Sequence, residues 1–77
     1  MGEKNKKRRF AYRKVSDIEA DIFQRESRIE QLNEEMSDQA TYRDGGRVRA
    51  IKQELSEQQS ALNKLYEHWE EASEMNW

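Results

Sequence analysis

The chain has no cysteine, no proline and only three glycines among its 77 residues. The lack of cysteine excludes disulfide bonds and thiol chemistry. The lack of proline leaves long helices uninterrupted. Only 34% of the residues are hydrophobic and 39% are charged, which is too little apolar surface for a globular core. Such a composition is typical of a disordered chain unless the apolar residues repeat along one face of a helix.

The residues needed for catalysis and metal binding are also scarce. One histidine and no cysteine leave no metal cluster and no nucleophile–base pair, so we expect no catalytic residues, no cofactor and no small-molecule substrate. No apolar run approaches the ~20 residues that cross a bilayer. No apolar stretch follows the basic N-terminus, as it would in a signal peptide. We therefore expect a cytoplasmic part of a larger protein, without membrane contact, that is not itself an enzyme.

Two stretches place apolar residues at alternating spacings of three and four, which is typical of the contact face of a coiled coil. We call these positions the seam. The first seam comprises Val15, Ile18, Ile22, Arg25, Ile29, Leu32 and Met36. The second comprises Val48, Ile51, Leu55, Gln58, Leu62, Leu65, Trp69 and Ala72. A short polar link joins them, so the pattern predicts an all-α fold, an antiparallel two-helix coiled-coil hairpin with a basic N-terminal arm.

We predict a flexible basic arm or linker over residues 1–11 and the hairpin over 12–77. Within the hairpin we predict a helix over 12–37, a link over 38–45 and a helix over 46–74. Ser16 and Glu19 fit a capping box, which either begins the first helix or lies inside a helix that starts near Tyr12. We prefer the earlier start. Asp44 is the expected N-cap of the second helix.

The heptads leave two alignments of the helices open. One alignment opposes Leu32 to Val48 and brings Arg28 near Glu54, which is attractive. The other slides by one heptad and places Glu35 near Glu54, which is repulsive. Charges beside the seam influence pairing in coiled coils, and they favour the first alignment here.

Arg25 and Gln58 are polar residues within the two seams, at similar distances from the link. A polar residue at a seam position costs stability and can specify the register. We interpret both as determinants of pairing rather than as a binding notch.

The charge is distributed unevenly. Residues 1–14 carry seven basic residues against Glu3, a net charge of +6, whereas the remaining residues carry seven basic and fifteen acidic residues, a net charge of −8. Clustered Lys and Arg bind phosphate backbones by releasing counterions, and Phe10 and Tyr12 are able to stack on unpaired bases. A second basic group lies near the link. The candidate nucleic-acid-binding residues are Lys4, Lys6, Lys7, Arg8, Arg9, Arg13, Lys14, Arg43, Arg47 and Arg49.

A purely structural interpretation of the arm stays open. An antiparallel hairpin returns four acidic residues beside it, where they are able to neutralise Arg13 and Lys14; these are Glu67, Glu70, Glu71 and Glu74. Tyr12 is able to pack on Trp69 at the open end. His68 is expected to be an exposed residue beside the seam.

Three motifs carry a resemblance to a known family. They are the basic entry from Lys6 to Lys14 with the following Asp17-Ile18-Glu19, the link from Ser37 to Tyr42, and the ending from Leu65 to Glu71. Together they resemble the C-terminal coiled-coil domain of ABC-F ATPases, especially the Uup-like members, from about Lys4 to Ser73. The sequence departs from that pattern in three places, where Ala11, Gln39 and His68 stand for serine, proline and arginine.

The resemblance implies a cytoplasmic protein whose two ATPase cassettes lie N-terminal to this chain and are partners of it. It also implies action on ribosomes or DNA, and a C-terminal domain similar to a DNA-binding module. The chain lacks the glycine-rich phosphate-binding loop of an ATPase, since its glycines are Gly2, Gly45 and Gly46. Our functional hypothesis is a nucleic-acid-binding coiled coil, for DNA or ribosomal RNA, appended to an ABC-F ATP-binding protein. The alternative is a structural coiled coil that docks on protein and has no nucleic-acid role.

Overall fold

The computed structural model describes residues 9–75, which form three helices. Helix α1 is Val15–Met36, helix α2 is Gln39–Arg43 and helix α3 is Gly45–Glu74. No strand occurs between residues 9 and 75. None of these helices has the length and apolar character that a membrane span requires. The all-helical class predicted from the seams is confirmed.

The two long helices, α1 and α3, pack side by side and run in opposite directions. Side-chain contacts pair late residues of α1 with early residues of α3: from the link outward they join Glu35 to Arg47, Arg28 to Glu54, Arg25 to Gln58 and Glu19 to Trp69. The link therefore lies at one end of the pair, and the start of α1 lies with the end of α3 at the other, which we call the open end.

The buried apolar side chains belong to the seams. They are Ile18, Leu32, Ile51, Leu62, Leu65 and Ala72. Their removal from water is the main favourable contribution to folding in a chain with so few apolar residues. Such a small core gives only a marginal stability, on the order of 3–5 kcal/mol.

The core at the open end defines the alignment of the helices. Ile18 lies in one cluster with Leu65 and Ala72. The alignment with Leu32 opposite Val48 would place Ile18 opposite Leu62. The observed position of Ile18, between Leu65 and Ala72, is about one heptad further along α3. The helices therefore take the shifted alignment, and the preference drawn from the charges was wrong.

The ion pair that favoured the other alignment forms nevertheless. Arg28 donates from Nε and Nη2 to the two carboxylate oxygens of Glu54 at 2.7 and 2.9 Å, because long side chains beside the seam reach diagonally across it. The expected repulsion between Glu35 and Glu54 is avoided, since Glu35 pairs with Arg47.

Helix α1 begins at Val15, later than the expected start at residue 12. Its N-cap is Lys14, whose side chain makes no capping bond, and Ser16 is already inside the helix, so the capping box does not form. The physical reason is that the preceding segment is bonded to α3 instead: the carbonyl oxygen of Ala11, which would accept the first bond of a helix starting at residue 12, lies 2.9 Å from Nε2 of His68.

The link, expected to be non-helical over 38–45, contains the short helix α2. The side chain of Asp38 accepts a hydrogen bond from the amide of Ala40 at 2.9 Å and caps this helix. Asp44 accepts from the amide of Arg47 at 3.1 Å and caps α3, as predicted. With that cap in place α3 begins at Gly45, so this glycine belongs to the helix and not to the link.

Candidate nucleic-acid interface

The arm is held on the last turns of α3 by a buried carboxylate. Oε1 of Glu71 accepts a hydrogen bond from the backbone amide of Arg9 at 2.6 Å, and Oε2 accepts from that of Phe10 at 3.1 Å. The side chain of Glu71 is only 4% exposed. Hydrogen bonds to an ionised acceptor are stronger than neutral ones, so this carboxylate fixes two consecutive residues of the arm.

His68 lies one turn earlier on α3 and completes the attachment. Its Nε2 lies 2.9 Å from the carbonyl oxygen of Ala11, which only accepts, so Nε2 carries the proton. The ring of Phe10 stacks on the imidazole with centroids 4.6 Å apart and planes 12° from parallel. His68 is 8% exposed, so the expectation of an exposed histidine was wrong, because the arm covers it. We call these contacts of Glu71 and His68 with residues 9–11 the arm clasp.

The described cations of the N-terminal group gather at the open end. The side chain of Arg9 is 60% exposed, with Nη1 at 3.3 Å from Glu67 and its guanidinium 5.6 Å from the ring centre of Phe10. Arg13 lies 3.4 Å from the carboxylate of Asp21 on α1. Lys14 is exposed. Lys4, Lys6, Lys7 and Arg8 lie outside the described residues.

The cations near the link form a separate group. Arg43 is the last residue of α2, and Arg47 and Arg49 belong to the first two turns of α3. Arg47 pairs with Glu35, whereas no acidic group within residues 9–75 pairs with Arg43 or Arg49. Since α3 has 30 residues, about 45 Å separates its ends. The candidate residues that the structure describes therefore lie at two ends of a rod and not on one continuous surface.

The acidic residues at the open end bind the arm differently from the expectation. Glu71 accepts backbone amides, Glu67 pairs with Arg9, and Arg13 turns to Asp21 instead of α3. One face of the Phe10 ring is stacked on the imidazole of His68. Residues 9–11 are thus bonded to the hairpin, but not through the expected neutralisation of Arg13 and Lys14 by the acidic residues of α3.

The polar seam residues contact each other across the two helices. Nη1 of Arg25 donates to Oε1 of Gln58 at 2.9 Å, and Nε2 of Gln58 lies 3.5 Å from Glu54. The hydrogen bonds from Arg28 are the main cause that lowers the pKa of Glu54 below its ordinary value. These contacts belong to helix pairing, and the described residues contain no group of His, Cys, Asp or Glu arranged to hold a metal ion.

Sequence reasoning missed the arm clasp. Glu71 and His68 bind residues 57 to 62 positions away, and local sequence does not reveal such contacts. One signal was present: His68 continues the series Leu65, His68, Ala72, whose spacing of three and four is that of a buried face. The seam pattern instead assigns Trp69 to the buried face between Leu65 and Ala72. Trp69 is 36% exposed, and its indole donates a hydrogen bond to Glu19 at 3.0 Å.

Comparison with known families and structures gives one match. The family described as ABC transporter C-terminal domain matches residues 6–74, which include the arm clasp, both seams and the link. No curated protein matches the chain, and no solved structure does.

Proposed function

Because the chain belongs to the ABC transporter C-terminal domain family, we propose that it is the nucleic-acid-binding coiled-coil domain of an ABC-F ATPase of the Uup-like kind. Its nucleic-acid partner is DNA or ribosomal RNA, and its protein partners are the ATPase cassettes of the same cytoplasmic parent protein. The ABC-F assignment rests on the three motifs, and the nucleic-acid role rests on charge and geometry.

One observation carries the nucleic-acid proposal: the arm clasp attaches a strongly basic segment to one end of an acidic rod. Glu71 holds the backbone of Arg9, and the sequence continues N-terminally from Arg9 through Arg8, Lys7 and Lys6. The net charge of −8 on the rest of the chain disfavours phosphate along the rod. Binding by this arrangement is local to the basic segment and independent of base sequence.

The ion pair with Glu67 does not prevent Arg9 from binding a phosphate. Both Arg9 and Glu67 are more than half exposed, at 60% and 51%, and exposed pairs at such positions are weak and screened by salt. A phosphate, which accepts two parallel hydrogen bonds from arginine as a carboxylate does, is able to replace Glu67. The exposed Arg43 and Arg49 offer a second, smaller contact at the link end.

The alternative is a protein-docking coiled coil with no nucleic-acid role, and a specific observation favours it. Two cations of the N-terminal group lie beside carboxylates of the hairpin: Arg9 beside Glu67 and Arg13 beside Asp21. In this alternative the basic residues serve to attach the arm to the hairpin.

The test is the salt dependence of binding to labelled DNA and RNA, measured by fluorescence anisotropy with the whole chain. If about four to six cations contact phosphates, the logarithm of the binding constant falls against the logarithm of salt concentration with a slope near −4 to −5. Absence of binding to either nucleic acid at low salt would reject the proposal and favour the docking alternative.

A further inference from the structure

Three aromatic side chains are grouped on one exposed face of the hairpin. Phe23 of α1 and Tyr66 and Trp69 of α3 are 69%, 42% and 36% exposed. They line an open groove of about 470 Å³ together with Glu19, Ile22 and Glu26. They are three of the seven aromatic residues of the chain, and grouped exposed apolar side chains are a feature of interaction sites.

Two carboxylates hold the rings of Tyr66 and Trp69 in place. Oε2 of Glu19 accepts the indole N–H of Trp69 at 3.0 Å, and Oε2 of Glu26 accepts the hydroxyl of Tyr66 at 2.6 Å. The second bond is the main cause that raises the pKa of Tyr66 above its ordinary value. Between residues 9 and 75 no group donates to Oε1 of either glutamate. The groove therefore has two fixed rings, those of Tyr66 and Trp69, and one carboxylate oxygen on each of Glu19 and Glu26 to which no described group donates.

The chemistry of these groups selects a cation. Aromatic faces attract ammonium and guanidinium groups, most strongly those of tryptophan and tyrosine. The two negative charges add to this attraction and repel phosphates, so a nucleic acid or an anionic lipid does not fit. A guanidinium satisfies both features, since its plane stacks on a ring while its edge donates to carboxylates.

We propose that this groove binds the guanidinium of an arginine in a basic segment of a partner protein. The site is separate from the nucleic-acid proposal, because it lies on the acidic hairpin and uses none of the basic candidate residues. The groove gives the domain a second partner class: a positively charged protein surface.

The test uses a short peptide of glycine, serine and two arginines, with counterparts that carry lysine or uncharged citrulline at the arginine positions. Trp77→Phe leaves Trp69 as the one tryptophan, so its indole N–H resonance reports on the groove in an NMR titration. We expect a saturable shift with the arginine peptide, binding ~3–5-fold weaker with lysine, and no saturable shift with citrulline.

Two sets of variants separate the groove from general charge attraction. Glu19→Gln together with Glu26→Gln removes both charges yet keeps an acceptor for each ring, and should weaken binding about tenfold. Phe23→Ala removes an exposed ring and should weaken it ~3–5-fold. Matched controls are Glu57→Gln, an exposed carboxylate outside the groove, and Tyr42→Ala, an exposed ring at the link. Both should bind the peptide like the parent.

Equal binding of the citrulline peptide, or parent-like binding by the double glutamine variant, would overturn the proposal. A shift of the Trp69 resonance that grows with protein concentration in the absence of peptide would also overturn it, because the occupant would then be a second copy of the chain. The double glutamine variant should retain nucleic-acid binding, so failure of one proposal is distinguishable from failure of the other.

Discussion

Glu71 accepts the backbone amide of Arg9 at 2.6 Å, across 62 positions of sequence. This bond, with its neighbour from Phe10, ties the start of the described chain to the last turns of α3. The same segment bonds the carbonyl oxygen of Ala11 to His68, and α1 begins after it, at Val15. The arm is thus part of the folded domain from Arg9 onward.

The clasp predicts a specific effect of Glu71. Glu71→Ala removes both acceptors and should lower the free energy of unfolding by about 2 kcal/mol, the range for hydrogen bonds to a charged group. Glu71→Gln keeps one acceptor and should show a smaller loss. Urea unfolding measures both, and hydrogen exchange at the amides of Arg9 and Phe10 should accelerate. Glu70→Gln, an exposed neighbour, is the control and should match the parent; unchanged exchange in Glu71→Ala would contradict the clasp.

The core at the open end predicts an order of stability losses. Ile18 is fully buried, so Ile18→Ala should cost about 3 kcal/mol. A buried seam position for Trp69, as assigned from the sequence pattern, would give a loss this large for Trp69→Ala. Since Trp69 is 36% exposed, the loss should be nearer 1–2 kcal/mol. Urea unfolding followed by circular dichroism measures both losses, and a larger loss for Trp69→Ala than for Ile18→Ala would show that the ring is buried.

The ion pair of Arg28 and Glu54 predicts a pH dependence. Arg28 lowers the pKa of Glu54 below its ordinary 4.5, so the folded state favours the ionised form. The resulting stability is present above the ordinary pKa and is lost as the pH falls through the lower, folded pKa. Glu54→Gln removes this titration. The parent should therefore be more stable than Glu54→Gln at pH 7, and the difference should shrink toward zero well below pH 4.5. A difference that persists in acid would contradict the pairing.

The seams could be predicted from sequence because their physical cause is local and periodic. Side chains three and four apart share a helix face, so the pattern alone places Ile18, Leu32 and Ile51 in the core. Asp44 was identified as a cap because a short acidic side chain before a helix satisfies a free amide.

The alignment could not be predicted, because a heptad pattern repeats and each slip of seven preserves it. The charge argument was insufficient, since Arg28 reaches Glu54 in the shifted alignment as well. The arm clasp could not be predicted either. His68 and Glu71 are polar residues in a polar helix, and only the folded chain brings Ala11 and Phe10 to them.

Titration with substituted chains shows whether the basic arm binds nucleic acid. Labelled DNA and RNA are titrated with the parent chain and with a variant in which Lys6, Lys7, Arg8 and Arg9 are replaced by alanine. Replacement of Arg43, Arg47 and Arg49 by alanine serves as the comparison, and circular dichroism shows whether helicity is retained. We predict that the arm variant loses most of the affinity and has a flatter salt dependence, by about 3–4 in slope. The variant at the link should lose less. An arm variant that remains helical and binds as tightly as the parent would contradict the claim.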